Sequence, residues 1–272
     1  MNVSRLRSVL PRLLPALLLL ALLAVLATGC IGDTDTPQNT LNPVGEVAKQ
    51  QRDVFFYAMW PALVVMIFVE GAIVMMLIRF RRRKDDRIPR QIHGNTRLEI
   101  AWSILPAILI LIPGAFMLPV LFEIGREPKA DAFQVQAQGE QFQWTFAYPE
   151  ILDGRGDPVT TLRGEVHIPA GREIALSITS IDVNHSFGVP RIAGTRDAVP
   201  GQTERMWIRV DTPGTYHGQC RELCGSGHAT MLITMIVQNA DDFQKWANEA
   251  KAGVKRADDI PQDAVSAGAE GK

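Results

Sequence analysis

The chain is short of the residues that would place it in several broad classes. Among 272 residues there are three cysteines, five histidines and three tyrosines, and acidic and basic side chains nearly cancel to a net charge of −1. Without a basic surplus there is no footprint for a nucleic-acid partner, and the length allows one or two domains. No Cys-x-x-Cys-His stands in the sequence, so no haem is attached through paired thioethers. No internal repeat is present. Charge is also missing from long stretches. Apolar residues gather in three blocks within the first 122 positions, and the remainder has the polarity of a soluble domain.

The first block follows Arg5, Arg7 and Arg12, runs over residues 13–26 and ends in Ala27-Thr28-Gly29-Cys30. A charged start, a short apolar core and small residues describe a signal peptide over residues 1–30. Small residues directly before a cysteine resemble a bacterial lipoprotein processing site, with Cys30 acylated and becoming the mature N-terminus. Ordinary cleavage with Cys30 lost or unmodified is the alternative, and Ala27, where a larger aliphatic is preferred, speaks for it.

After an exported segment over residues 31–53, residues 54–78 and 98–122 form two apolar runs of 25 positions each. At about 1.5 Å per residue, each crosses a hydrocarbon core of about 30 Å with some tilt. Between them stand Arg79, Arg81, Arg82, Arg83, Lys84, Arg87, Arg90 and Arg97, a short basic loop that the positive-inside rule assigns to the cytoplasm. The runs therefore form a hairpin over residues 54–122 with both outer ends outside. Glu70 within the first run and Glu99 at the start of the second would face lipid only at high cost, so each must face protein or water. For Glu70 a polar contact with a neighbouring helix is favoured over proton traffic.

Over residues 130–247 the pattern changes to short β-branched and aromatic runs, at 133–138, 142–148, 165–168, 174–180, 205–210 and 231–238. Turn chemistry separates them, as in Asp153-Gly154 and Pro200-Gly201. This predicts a small antiparallel sandwich or barrel. Residues 241–251 read as a helix, and residues 253–272, rich in Ala, Gly and Asp, as a disordered tail.

Setting Cys30 aside leaves Cys220 and Cys224, in Cys220-Arg221-Glu222-Leu223-Cys224-Gly225-Ser226-Gly227-His228-Ala229-Thr230-Met231. Two thiols this close outside a membrane could close a disulfide. A disulfide leaves unexplained the His228 and Met231 that follow, and the Gly225 and Gly227 that let the chain turn back. Thiolate, imidazole and thioether donors together select copper, whereas a thioether matches the usual zinc set poorly. One cysteine, one histidine and one methionine would suit a single copper; a second cysteine calls for two ions bridged by two thiolates, each ion with its own imidazole. The second imidazole must come from elsewhere. His185, on a polar turn after the 174–180 strand, is favoured, and His217, nearer Cys220 but inside a strand-like run, is the rival.

With Asp197-Ala198-Val199-Pro200-Gly201 lying between His185 and Cys220, these residues resemble the CuA-bearing subunit II of bacterial haem-copper terminal oxidases, the cytochrome c oxidase subunit II family. The resemblance runs from the leader to about residue 247 and takes in the arginine-rich loop and Leu98-Glu99-Ile100-Ala101-Trp102-Ser103-Ile104-Leu105-Pro106. It implies a two-helix transmembrane hairpin followed by an all-β cupredoxin-like sandwich. It implies a dinuclear copper centre in which Cys220 and Cys224 bridge, His185 and His228 are terminal ligands, Met231 is the weak ligand of one copper and the Glu222 carbonyl that of the other. It further implies magnesium on the Glu222 side chain at the contact with subunit I, with Asp197 nearby, although Asp197 by itself reads as a turn residue. Glu99 matches the carboxylate at the mouth of a proton channel; an interfacial solvated glutamate is the plain alternative.

The same resemblance implies partners: subunit I with its haem and CuB, subunit III, membrane lipid, and cytochrome c as donor. Electrons accepted at CuA would pass to haem in subunit I, where oxygen is reduced to water with proton pumping, in a bacterial inner membrane with the copper domain on the periplasmic side. Five histidines are too few to hold those further cofactors in this chain. The sequence departs from the family at Phe142, where many relatives carry the tryptophan through which electrons enter; Phe142 and Trp144 mark that region here. Period-2 alternation places Phe142 on one face with Trp144, Phe146 and Tyr148. Phe142 lacks the indole of that tryptophan, so donor contact is expected to depend on shape and surrounding charge more than on one ring. The copper subunit of a nitric oxide reductase and a copper-delivery protein are the alternatives, and Glu99 with the paired spans favours an oxidase core.

Overall fold

A computed structural model describes residues 36–81, 91 and 94–252. Cys30 and its leader, most of the basic loop and residues 253–272 lie outside the described residues. Two long helices come first, α1 (Glu46–Arg79) and α2 (Thr96–Ile124), and they pack against each other. Each contains a stretch of mean hydropathy 2.5 that is nowhere buried inside the chain, as two membrane-crossing helices require. The first starts eight residues before its apolar run because its outer end has a second use: Val47 and Ala48 are buried against the sandwich. At the other membrane face Asn95 caps α2, its side chain accepting from the Arg97 and Leu98 N–H groups. Glu99 returns the favour by accepting the Asn95 N–H at 3.2 Å, so this carboxylate has a local structural partner.

Ten strands follow: β1 (Phe133–Glu140), β2 (Gln143–Leu152), β3 (Pro158–Thr161), β4 (Glu165–Pro169), β5 (Glu173–Ser180), β6 (His185–Gly188), β7 (Thr195–Ala198), β8 (Glu204–Arg209), β9 (Gly214–Gln219) and β10 (Leu232–Gln238). They form a five-stranded sheet in the order β3-β2-β1-β5-β8, a three-stranded sheet β4-β10-β9 and a two-stranded ribbon β6-β7. Helix α3 (Ala240–Ala252) closes one end. Trp144, Phe146, Tyr148, Ile168, Ile178, Phe187, Trp207 and Ile233 lie fully buried between the layers.

The expected antiparallel sandwich is in fact mixed. β1 runs parallel to β5, pairing Phe133 with Ile174 through Gly139 with Ser180, and β4 runs parallel to β10. Alternation along one strand reports which face is buried and carries no information on a neighbour's direction, which the crossovers between layers decide. The strands β3, β6 and β7 went unread because four-residue runs such as His185–Gly188 and Thr195–Ala198 show too little alternation.

The joint between membrane helix and sandwich is well tied. The Trp207 indole N–H donates to the Glu123 carbonyl at 3.1 Å, and the Arg126 guanidinium lies 4.1 Å over the Trp207 ring. Arg126 also donates to both oxygens of buried Glu173, at 3.0 and 2.8 Å, and the Lys129 N–H adds a bond of 2.8 Å. The hydrogen bonds from Arg126 hold the Glu173 carboxyl down to about 2.

Candidate metal centre

Four short segments meet at one end of the sandwich. β6 opens with His185, which is 0% exposed and so does not stand on the expected polar turn. β9 delivers Cys220 at its end, the following loop carries Glu222 and Cys224, a single 3-10 turn carries His228, and Met231 sits just before β10. The loop closes on itself through backbone bonds, Cys220 N–H to the Met231 carbonyl at 2.9 Å and His228 N–H to the Gly225 carbonyl at 3.1 Å. This places residues eleven positions apart in sequence side by side.

The donor atoms converge. Cys220 Sγ lies 3.8 Å from His185 Nδ1 and 3.2 Å from the Glu222 carbonyl oxygen. Cys224 Sγ lies 3.7 Å from His228 Nδ1 and 3.8 Å from Met231 Sδ. The two Sγ atoms stand 4.0 Å apart and both thiols are free, so there is no disulfide. At about 2.3 Å from sulfur and about 2.0 Å from nitrogen, two tetrahedral donors of one ion stand about 3.5 Å apart, close to these separations. The set is soft and two-sided, with His185, Cys220, Cys224 and Met231 buried and His228 half-buried, and it fits copper. His185, Cys220 and Cys224 form a metal-competent cluster within 4.8 Å. His217, by contrast, is exposed on β9 and stands outside this cluster. Burial, together with the neighbouring Cys220, pushes the Cys224 thiol up to about 11, so in the absence of an ion this pocket favours thiol over thiolate.

The surroundings of the donors are as specific as the donors. Asp182 accepts from His185 Nε2 at 2.9 Å, which leaves Nδ1 facing the sulfur. Desolvation pushes the Asp182 carboxyl up, but the bonds from His185 and from the Gln141 and Val183 N–H groups outweigh it and hold the group down to about 2. The Gln141 side-chain amide donates to the Cys224 carbonyl. One corner between β1 and β2 therefore touches both ligand loops. Asp182 was passed over in the sequence; its place three residues before His185 was the available signal.

Phe142 sits on that same corner, half-buried and ahead of β2, so alternation does not carry through to it. Its ring lies against Gly227, where any Cβ would overlap it, and against Gly225, where a Cβ would come within 2.9 Å. Gly225 and Gly227 thus make room for Phe142. Trp144 is fully buried and meets the His185 ring edge-on, with centroids 6.1 Å apart. Among the apolar residues of the donor loops Leu223 is the most exposed, at 78%, with Ile181, Val183 and Leu232 exposed as well. Glu222 and Asp197 both expose their side chains, Asp197 on β7 opposite Ser186 of β6.

Comparison with known proteins addresses the chain as a whole. The chain matches the family described as cytochrome C oxidase subunit II, periplasmic domain, over residues 133–239, and its transmembrane domain over residues 43–120. It is 34% identical over 245 residues to cytochrome c oxidase subunit 2 of Alkalihalophilus pseudofirmus, covering 87% of this chain and 68% of that one. Identity to the corresponding protein of Cereibacter sphaeroides is 32% over 220 residues, 70% of this chain and 72% of the other. A solved structure of the periplasmic domain of subunit II of cytochrome oxidase from Bradyrhizobium japonicum is 31% identical, with a TM-score of 0.41, over 46% of this chain and 97% of that one. Both halves of the chain, the helical hairpin and the sandwich, are matched by the models of one family, and the chain belongs to the cytochrome c oxidase subunit II family.

Proposed function

We propose that this chain is the electron-accepting subunit of a cytochrome c oxidase, holding a dinuclear CuA centre between Cys220, Cys224, His185 and His228, with Met231 and the Glu222 carbonyl as weak ligands. The observation that carries this is the convergence of two thiols, two imidazole Nδ1 atoms, a thioether and a carbonyl oxygen, with separations of 3.2 to 4.0 Å. Cys220, Cys224, His185 and His228 would hold the copper, which when bound would supply a one-electron carrier.

The chain's own residues supply the rest. Asp182 orients His185, and the Cys220 N–H bond to Met231 fixes the loop. Trp144 and Phe187 keep water from the inner side. Leu223, exposed between Cys220 and Cys224, offers an apolar contact for cytochrome c, and electrons entering there would leave toward haem in subunit I for oxygen reduction. A magnesium ion on the exposed Glu222 side chain at the subunit I contact, proton uptake near Glu99, acylation of Cys30, and placement in an inner membrane beside subunits I and III belong to the same proposal. The capping bond of Glu99 is compatible with an additional role, because it uses only one carboxylate oxygen.

The test is purification of the chain with its complex from membranes, followed by haem spectra, metal counts and oxygen uptake driven by reduced cytochrome c. The proposal expects a haem-bearing partner and uptake that stops when Cys220 is changed to Ser. A chain that purifies without haem partners, or uptake that survives Cys220→Ser, contradicts it.

A further inference from the structure

The segment ahead of the first membrane helix does not merely lead into it. The Val44 and Gly45 N–H groups both donate to the Arg191 carbonyl, at 2.7 and 3.0 Å, and Arg191 Nε donates back to the Asn42 carbonyl at 2.9 Å. Ala48 N–H reaches the Ile192 carbonyl at 3.2 Å, and Gly45 forms a β-bridge with Val210. The segment is thereby laid onto the loop that follows β6, the strand opened by His185. Its earlier part ends on the metal loop itself. Gln38 donates through Nε2 to Gln219 Oε1 at 3.2 Å and accepts through Oε1 from Arg221 Nη2 at 2.8 Å.

Strand geometry gives this bridge its meaning. Side chains alternate along extended backbone, so Gln219 and Arg221 point to one side while Cys220 between them points to the other. Burial follows that alternation: Gln219 is half-buried, Cys220 buried and Arg221 exposed. One amide therefore clamps the outer side of the strand whose inner side presents a metal donor. Arg221 is fixed at two further points. Its N–H donates to the Ser186 carbonyl at 2.9 Å, next to His185, and its stem lies on Gly188, where a Cβ would come within 2.8 Å of Arg221 Cγ.

We propose that Gln38 and Arg221 form a brace through which the segment before the first membrane helix positions Cys220, and through it the geometry and potential of the copper centre. Both are positioning residues, since neither places an atom among the donors. The amide of Gln38 has both of its ends engaged, and the guanidinium spans from one ligand-bearing strand to the segment. This rests on the copper reading of the site.

The experiment uses the intact complex carrying Gln38→Ala, Gln38→Glu, Arg221→Ala and the Gln38→Ala/Arg221→Ala pair. Copper content, the copper hyperfine pattern in electron resonance, the midpoint potential and amide exchange over residues 214–232 are measured. Gln38→Ala alters no formal charge, so the hyperfine pattern and the amide exchange are read beside the potential to report on the position of Cys220. Two coppers per chain are expected in every variant, with altered hyperfine splitting and a shifted potential in Gln38→Ala. Exchange at the Arg221 amide should quicken by about tenfold or more on loss of a hydrogen bond to a charged group. Gln38→Glu, which still accepts from Arg221, should recover most of the wild-type spectrum. The double variant should shift the potential no further than Arg221→Ala alone, because the two act as one unit. A Gln38→Ala protein with wild-type potential, hyperfine pattern and exchange overturns the brace. A wild-type complex without a dinuclear copper signal overturns the copper reading, and the brace with it.

Discussion

At the scale of single residues, the donors differ in what their loss should do. A thioether binds copper weakly, so Met231→Leu is expected to keep both coppers and shift the potential, whereas Cys220→Ser or Cys224→Ser removes the dinuclear site. Metal analysis with potentiometry checks both. His185→Ala should lose copper and His217→Ala should not, because His185 Nδ1 lies 3.8 Å from the Cys220 sulfur and His217 is exposed on β9. Phe142 invites a subtler test. Its ring packs on Gly225 and Gly227 while Leu223 is more exposed than it is, so Phe142→Ala should keep copper and slow cytochrome c oxidation by less than about tenfold. Loss of transfer with copper intact would make Phe142 itself the port. The donor set was legible in the sequence because thiol, imidazole and thioether at fixed spacing have few joint uses. The packing around it was not: Asp182, Gln141 and Gln38 are ordinary polar residues whose roles arise only when distant loops meet.

At the scale of elements, the tie between α2 and the sandwich makes a pH-dependent prediction. Glu173 is buried beneath Arg126 and its carboxyl is held at about 2, well below an unfolded glutamate at about 4.3. The ionised form thus stabilises the fold above about pH 4.3, and that contribution fades as pH falls toward 2. Glu173→Gln is expected to cost about 2 kcal/mol near neutral pH and to flatten the acid limb of a thermal stability curve. An unchanged curve between pH 5 and pH 3 would show that Arg126 gains nothing from the carboxylate. Glu70 belongs to the same scale. It is exposed on α1 beside a groove of about 730 Å³ that includes Pro61, Ala62, Pro113 and Gly114. A carboxylate at that depth needs a donor, so Glu70→Leu should loosen the chain from its partner subunits in detergent, read by co-purification. The spans themselves were plain from hydropathy, to within the eight residues by which α1 extends into the sandwich. Strand pairing was not, since β1 beside β5 and β4 beside β10 depend on crossovers that no local pattern records.

At the scale of the whole molecule, each part constrains the next. Two helices with no apolar stretch buried inside the chain fix the sandwich to a membrane, and the Trp207, Arg126 and Glu173 contacts fix its attitude. β6 and β9, neighbours in space though thirty positions apart in sequence, bring one imidazole to one thiol, and the closed loop brings the other pair. The most direct test counts and characterises copper in the intact protein. Two coppers per chain are predicted, with an unpaired electron shared between them in the electron resonance spectrum of the oxidised protein. One copper per chain, or a fully metallated protein in which Cys220 and Cys224 form a disulfide, would contradict the account.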